Sequence, residues 1–203
     1  MKKLLILFTI VIIILGITSC KKEEKVVKPD LPDGLYAKIK TNKGDITLSL
    51  TYKKTPLTVT NFVGLAEGKI ENSAKKPGEP FYNGIKFHRV IANFMIQGGD
   101  PTGTGMGDPN IPNILDEFVP GHSNVRGTIS MANAGPNTGS SQFFINLIDN
   151  SRLDYDKEPL SSKHPVFGEV VEGMDVVDKI AKVQTGVGDK PVEDVIIEKA
   201  VVL

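Results

Sequence analysis

From Leu35 onward the chain is a succession of short runs in which apolar and polar residues alternate, and this pattern limits the available folds more than any other feature. A period of two is the signature of a strand with one buried face. It appears at Leu35–Lys40 and at Asp45–Leu50, where Ile46, Leu48 and Leu50 share a face. Thr41-Asn42-Lys43-Gly44 between them has the composition of a hairpin loop. Further strand segments are Lys86–Val90, Phe94–Gly98, Thr128–Ala132, Gln142–Asn146, Val166–Val171 and Asp194–Val202. Helical spacing occurs only twice. Thr55 and Pro56 offer an N-cap and a first helical residue, Val59, Phe62, Val63 and Ala66 form one apolar stripe, and Gly68 marks the stop. A second short helix is expected near Met174 to Ala181. Many short strands, two isolated helices and no βαβ alternation predict a barrel or sandwich. No internal repeat is visible, and the long connections at 69–84, 99–127 and 147–164 are expected to carry function.

The N-terminal residues belong to a different kind of segment. The 24 basic and 24 acidic side chains of the 203 residues balance, which argues against nucleic acid as a partner, but the balance averages two unlike pieces. Lys2 and Lys3 precede an apolar run from Leu4 to Leu15 broken only by Thr9. That run falls short of the roughly 20 residues needed to span a bilayer core and reads as a secretory signal. It ends in Ile17-Thr18-Ser19-Cys20, which resembles a bacterial lipobox, although Ile stands at the first position in place of Leu. The resemblance implies that Cys20 is acylated and becomes the first mature residue. As the single cysteine it also excludes an internal disulfide framework and a Cys-rich zinc site. Several acyl chains anchor stably where one does not. The expected organisation is a signal at 1–19, a lipidated, charged and Pro-containing tether at 20–34, and one folded domain at 35–203. Loss of Lys2 and Lys3 leaves 22 basic against 24 acidic groups, so the mature chain is faintly acidic. The expected location is the cell envelope, anchored to a bacterial membrane on its periplasmic or outer-surface side.

Two segments place unusual residues on strand faces. In Phe87 to Pro101, strict alternation sets Arg89 with Phe87 and Ile91, and sets Met95 with Gln97. In Ser130 to Ile145, Gln142 and Phe144 share one face and leave Phe143 and Ile145 for the core. A barrel would turn the apolar faces inward and the mixed faces outward, where an aromatic, a Met and long polar groups make a shallow site for an apolar ligand with one polar handle. On patterning alone, a surface ion pair for Arg89 and merely solvating glutamines fit as well. Other signals are weak. His88, His122 and His164 lack metal-ligand spacing, and no nucleophile elbow precedes a serine. His88 alternates away from Arg89 and is expected to be a hydrogen-bonded structural residue. The glycines at 98–107 lack a P-loop Lys-Ser/Thr and predict a tight loop beside the groove.

FHRVIANFMIQGGDPTGTG and SMANAGPNTGSSQFFI resemble the two signature segments of the cyclophilin family of peptidyl-prolyl cis-trans isomerases, and Pro165-Val166-Phe167-Gly168 after His164 also matches. The likeness extends over 35–203. It implies a mainly β fold, a closed eight-stranded antiparallel β-barrel capped by two α-helices. It also implies a catalytic pair, Arg89 and Gln97, and a substrate surface made by Phe94, Met95, Ala132, Asn133, Ala134, Gln142, Phe144, Leu153 and His164. Arg152 stands where most members carry Trp and many bacterial ones Phe, which predicts weakened cyclosporin binding, and 155–163 reads as an insertion.

The implied partners are proline-containing polypeptides, bound by a monomer. The chemistry requires neither metal nor cofactor, because no bond is made or broken. Rotation about the peptide bond faces a barrier of about 18–20 kcal/mol from its partial double bond. A guanidinium that donates to the twisted amide nitrogen or to the prolyl carbonyl lowers that barrier, while apolar neighbours grip the ring. The functional expectation is an isomerase acting on exported proteins. The alternative is an anchored module that binds proline segments without essential turnover, for which Arg89 would be dispensable.

Overall fold

The structure, a computed structural model, describes residues 31–158 and 163–203. The signal, Cys20 and the tether as far as Asp30 therefore lie outside the described residues, as do 159–162 within the expected insertion. Eight strands are present: β1 (Leu35–Thr41), β2 (Gly44–Leu50), β3 (Arg89–Ile91), β4 (Met95–Gly98), β5 (Thr128–Met131), β6 (Phe143–Asn146), β7 (Val166–Glu172) and β8 (Ile197–Val202). They form one antiparallel sheet in the order β3-β4-β6-β5-β7-β2-β1-β8. The sheet curls on itself, and backbone bonds cross the seam from the segment just before β3. Phe87 N donates to Val195 O (2.9 Å) and Ile197 N to Ile85 O (2.8 Å). The expected barrel is thus closed by a few bonds and not by a full ladder between β3 and β8.

The inward faces carry Ala37, Ile39, Ile46, Leu48, Val90, Ile96, Ile129, Phe143, Ile145 and Phe167, all nearly inaccessible. Helix α1 (Pro56–Ala66) follows the C-terminal end of β2 and inserts Phe62 among Tyr82, Phe143 and Phe167, with ring centroids 5.1–5.7 Å apart. Helix α2 (Met174–Ile180) lies at the other end of β2 and buries Val177 and Ile180. Its Val176 side chain sits where a Cβ on Gly44 would fall.

Two local expectations are corrected. Thr55 does not cap α1 with its side chain, because its hydroxyl meets Thr51 instead. The helix N-terminus is satisfied by Glu117 of the 99–127 connection, which accepts from Leu57 N (3.1 Å) and Thr58 N (2.8 Å). A carboxylate there also complements the helix dipole and pins the connection to the domain. Phe87, in turn, does not share the Arg89 face. It is buried in the core against Phe143, since regular pairing begins only at Arg89 and strict alternation does not extend back through 86–88.

Candidate functional site

Register brings the two signature strands together on the outer face. Arg89 of β3 faces Gln97 of β4, which faces Phe144 of β6. Cross-strand partners point to the same side, so the outer face gathers Arg89, Gln97 and Phe144 while Val90, Ile96 and Ile145 enter the core. Beside them Met95, Phe144 and Leu153 form a second apolar cluster, separate from the main core, against which Ile91, Phe94 and Ala132 pack. The ring of His164 stands edge-on to Phe144, with centroids 5.2 Å apart. Ala132, Asn133 and Ala134 follow β5 and line an adjoining cavity of about 380 Å³, together with Gln97, Gln142 and Met106. An apolar patch and a polar cavity thus share one wall at Ala132.

A directional chain of donors crosses this surface. Arg89 Nη1 donates to Gln97 Oε1 (3.5 Å), Gln97 Nε2 to Gln142 Oε1 (3.1 Å), and Gln142 Nε2 to Gly105 O (2.9 Å). Each glutamine accepts with its oxygen and donates with its nitrogen, so the carbonyl of Gly105 orients both amides. That carbonyl is fixed in turn by Asp100, whose carboxylate accepts from Thr102 N, Thr104 N and Gly105 N at 2.6–2.9 Å. Burial opposes its ionisation, but these donors outweigh it and hold the carboxyl below the usual range. Glycine is obligatory at Gly99, with φ +87° and a Cβ position 2.3 Å from Ser141 O. The glycine-rich stretch is accordingly a tight loop beside the groove.

Arg89 has a second anchor that sequence reading missed. Its Nε lies 3.5 Å from Oδ2 of Asp189, in the turn Val187–Asp189 that abuts β3. Asp189 holds φ +59° directly after Gly188 at φ +72°. Asp tolerates this left-handed region better than most residues, though still at some cost. With Nε and Nη1 held, Nη2 makes no hydrogen bond among the described residues. No local motif links residues 100 positions apart; the only sequence signal was a Gly-Asp pair in a loop.

The far wall rests on a buried polar network that was also missed. Asp154 accepts from Asn124 N (2.7 Å) and Nδ2 (2.9 Å), and Asn124 Oδ1 accepts from Ser130 Oγ (2.7 Å). Asn150 Nδ2 donates to Phe94 O and to Asn146 Oδ1, both at 2.8 Å. Backbone bonds from Leu153 N to Asn150 O and from His164 N to Leu153 O then place the two wall residues. A hint existed in the sequence, since Asn146 shares the strand parity of Phe144.

Two histidines are held neutral. His164 Nδ1 lies 3.1 Å from Met131 O, which can only accept, so Nδ1 carries the proton. Burial lowers its pKa below the ordinary 6.5, against the opposing influence of Met131 O and Asp116. Burial likewise lowers His88. Contrary to the expectation of a hydrogen-bonded residue, neither ring nitrogen of His88 has a partner among the described residues. The Asn133 side chain donates through Nδ2 to Lys163 O (2.9 Å), while its buried Oδ1 has no partner among the described residues. Among the described residues no group of His, Cys, Asp and Glu could hold a metal ion.

Residues 36–202 match the family described as cyclophilin type peptidyl-prolyl cis-trans isomerase/CLD. Peptidyl-prolyl cis-trans isomerase A of Mycobacterium tuberculosis is 45% identical over 170 residues, which cover 80% of this chain and 88% of that protein. A putative bifunctional phosphatase/peptidyl-prolyl cis-trans isomerase of Streptococcus pyogenes is 46% identical over 186 residues, 79% of this chain but only 37% of that longer protein. In fold, the chain is similar to the crystal structure of a Cryptosporidium parvum cyclophilin-type isomerase in the presence of the dipeptide Ala-Pro. The TM-score is 0.69 at 30% identity, with 83% of this chain and 98% of that one covered.

Proposed function

Since the chain belongs to the cyclophilin-type peptidyl-prolyl cis-trans isomerases and has their isomerase activity, we propose that it binds proline-containing polypeptides across the outer face of β3, β4 and β6, and that Arg89 drives the rotation. The observation that carries this reading is a guanidinium anchored through Nε and Nη1, with Nη2 unpaired among the described residues, at the border of an apolar patch.

The proline ring packs on Phe94, Met95, Phe144 and Leu153, whose cluster is apolar and already assembled. Burying that ring fixes one side of the X–Pro bond, and the backbone of Ala132–Ala134 holds the chain on the other. As the amide twists, resonance is lost and the nitrogen lone pair localises. A donor from Arg89 then meets a stronger acceptor in the transition state than in the ground state, so binding energy becomes rate. Because Gln97 and Asp189 already orient the guanidinium, little reorganisation is needed at that moment. The neutral His164 packs its ring against Phe144 and adds no competing charge.

The test is NMR exchange spectroscopy or a protease-coupled assay on short X–Pro peptides. Removing one preorganised donor costs about 10²–10³ in rate in other enzymes, so Arg89→Ala is expected to lose kcat/KM on that order with its fold intact. Wild-type turnover by Arg89→Ala would overturn the role of Arg89 and the mechanism built on it.

The location belongs to the same proposal. The basic and apolar leader followed by Ile17-Thr18-Ser19-Cys20 supports export and lipidation at Cys20. The substrates are then exported proteins, whose X–Pro bonds exchange uncatalysed in roughly 10–100 s. Lipid labelling that persists in Cys20→Ala would refute the anchor.

A further inference from the structure

Arg152 occupies the rim of the apolar patch in an unusual state. Its guanidinium carbon lies 4.9 Å from the centroid of the Phe94 ring, and the side chain makes no ion pair or hydrogen bond among the described residues. The acids nearest to it in the chain are engaged elsewhere. Asp149 accepts from Ser151 N (2.9 Å), Asp154 is bound by Asn124 and Ser123, and Asp156 pairs with Lys157 (3.2 Å). Arg89, across the patch, is compensated by Asp189. Among the described residues the rim therefore carries one compensated and one uncompensated guanidinium.

Stacking on an aromatic face occupies only the flat side of a guanidinium and leaves its N–H edge free. That edge is a fork suited to a carboxylate or phosphate. The surface it stacks on is well placed, because Phe94 below it is tied through its carbonyl to Asn150 and Leu153 beside it is tied to Asn150 and His164. Any polypeptide whose proline sits on Phe94 and Leu153 carries its neighbouring residues past this edge.

We propose that Arg152 is a specificity residue which selects substrates bearing an oxyanion, a carboxylate or a phosphorylated hydroxyl, on a residue flanking the proline. This rests on the isomerase reading and names its substrate class. The interaction is exposed, so the expected preference is modest, about two- to fivefold in kcat/KM for an acidic over a matched neutral flank, and it fades at high salt. Because the ion pair forms in the ground state as well as the transition state, it should enter through KM and not kcat.

The experiment uses NMR exchange on peptides built around one Ala-Pro core. They carry Glu, Gln, Lys or phosphoserine immediately before or after that core, and controls carry the same charge six residues away. The expected result is that Glu or phosphoserine beside the core lowers KM and the distant charge does not. Phosphoserine exceeding Glu identifies phosphate as the preferred source, and equality identifies charge alone. Arg152→Gln should erase the difference between Glu and Lys peptides, and Arg152→Glu should reverse it. An Arg152→Gln variant slowed equally on every peptide would show a mere cover for Phe94 and overturn the proposal, as would a wild type indifferent to the flank. Turnover of the neutral Ala-Pro peptide is the separate control. Its absence would refute the isomerase reading itself, and the selection with it.

Discussion

Replacing Asp189 separates the orientation of Arg89 from its mere presence. Both partners are roughly half exposed, with side chains 43% and 46% accessible at a separation of 3.5 Å. Such a pair contributes only about 0.2–1 kcal/mol once solvent screening is counted. Against it stands the backbone, since Asp189 holds φ +59°, a conformation that costs an L-residue up to about 1–2 kcal/mol and glycine almost nothing. Asp189→Gly is therefore expected to leave stability unchanged or to raise it by up to about 1 kcal/mol. It nevertheless frees Nε, so the guanidinium keeps only its 3.5 Å bond to Gln97. If the lost 0.2–1 kcal/mol falls entirely on the transition state, kcat/KM drops about 1.4- to 5-fold. Asp189→Asn keeps an acceptor and a residue tolerant of this backbone, and should fall between Gly and wild type. The assay is kcat/KM on a neutral Ala-Pro peptide beside a urea melt of each variant, at low salt and at about 0.5 M salt, where the wild-type advantage should shrink. Full activity in Asp189→Gly would refute the positioning role. Faster turnover would show that the carboxylate holds Arg89 away from substrate.

Two further predictions concern the wall behind the patch and its protonation. Asn124→Ala removes Nδ2 from the donors to Asp154, which keeps the backbone N of residue 124 and Ser123 Oγ, and takes away the acceptor of the buried Ser130 hydroxyl. This should cost about 2 kcal/mol and, at ~2–4 °C per kcal/mol, lower Tm by roughly 4–8 °C, and a Tm within about 2 °C of wild type would contradict that role. His164 and His88 both have pKa values lowered by burial from 6.5. Between 6.5 and those lower values the unfolded chain binds more protons, so stability is fully present above about pH 6.5 and is lost as pH falls toward the folded values. Urea midpoints between pH 7.5 and pH 5 should show this decline, and His88→Leu, which removes an unpaired buried imidazole, should reduce its slope; an unchanged slope would assign the decline elsewhere.

The sequence by itself determined the parts whose causes are local. A two-residue period needs only neighbouring residues to declare a strand, so all eight strands and both helices were legible, as were the outer-face residues Gln97 and Phe144. Tertiary structure decided whatever depends on contacts between distant residues. Phe87 obeys the alternation that carries Arg89, yet it turns into the core, because pairing across the seam and not parity sets its direction. Glu117 caps a helix that Thr55 was positioned to cap. Asp189 reaches Arg89 across 100 residues, and Asn124, Asn146, Asn150 and Asp154 become one network only after two connections converge on the end of β6. Polar side chains in loops are mostly solvated, so nothing in their order along the chain separates these from the rest. Their partners exist only once the sheet has curled, and the curled sheet turns an alternating pattern into an anchored arginine beside an apolar patch.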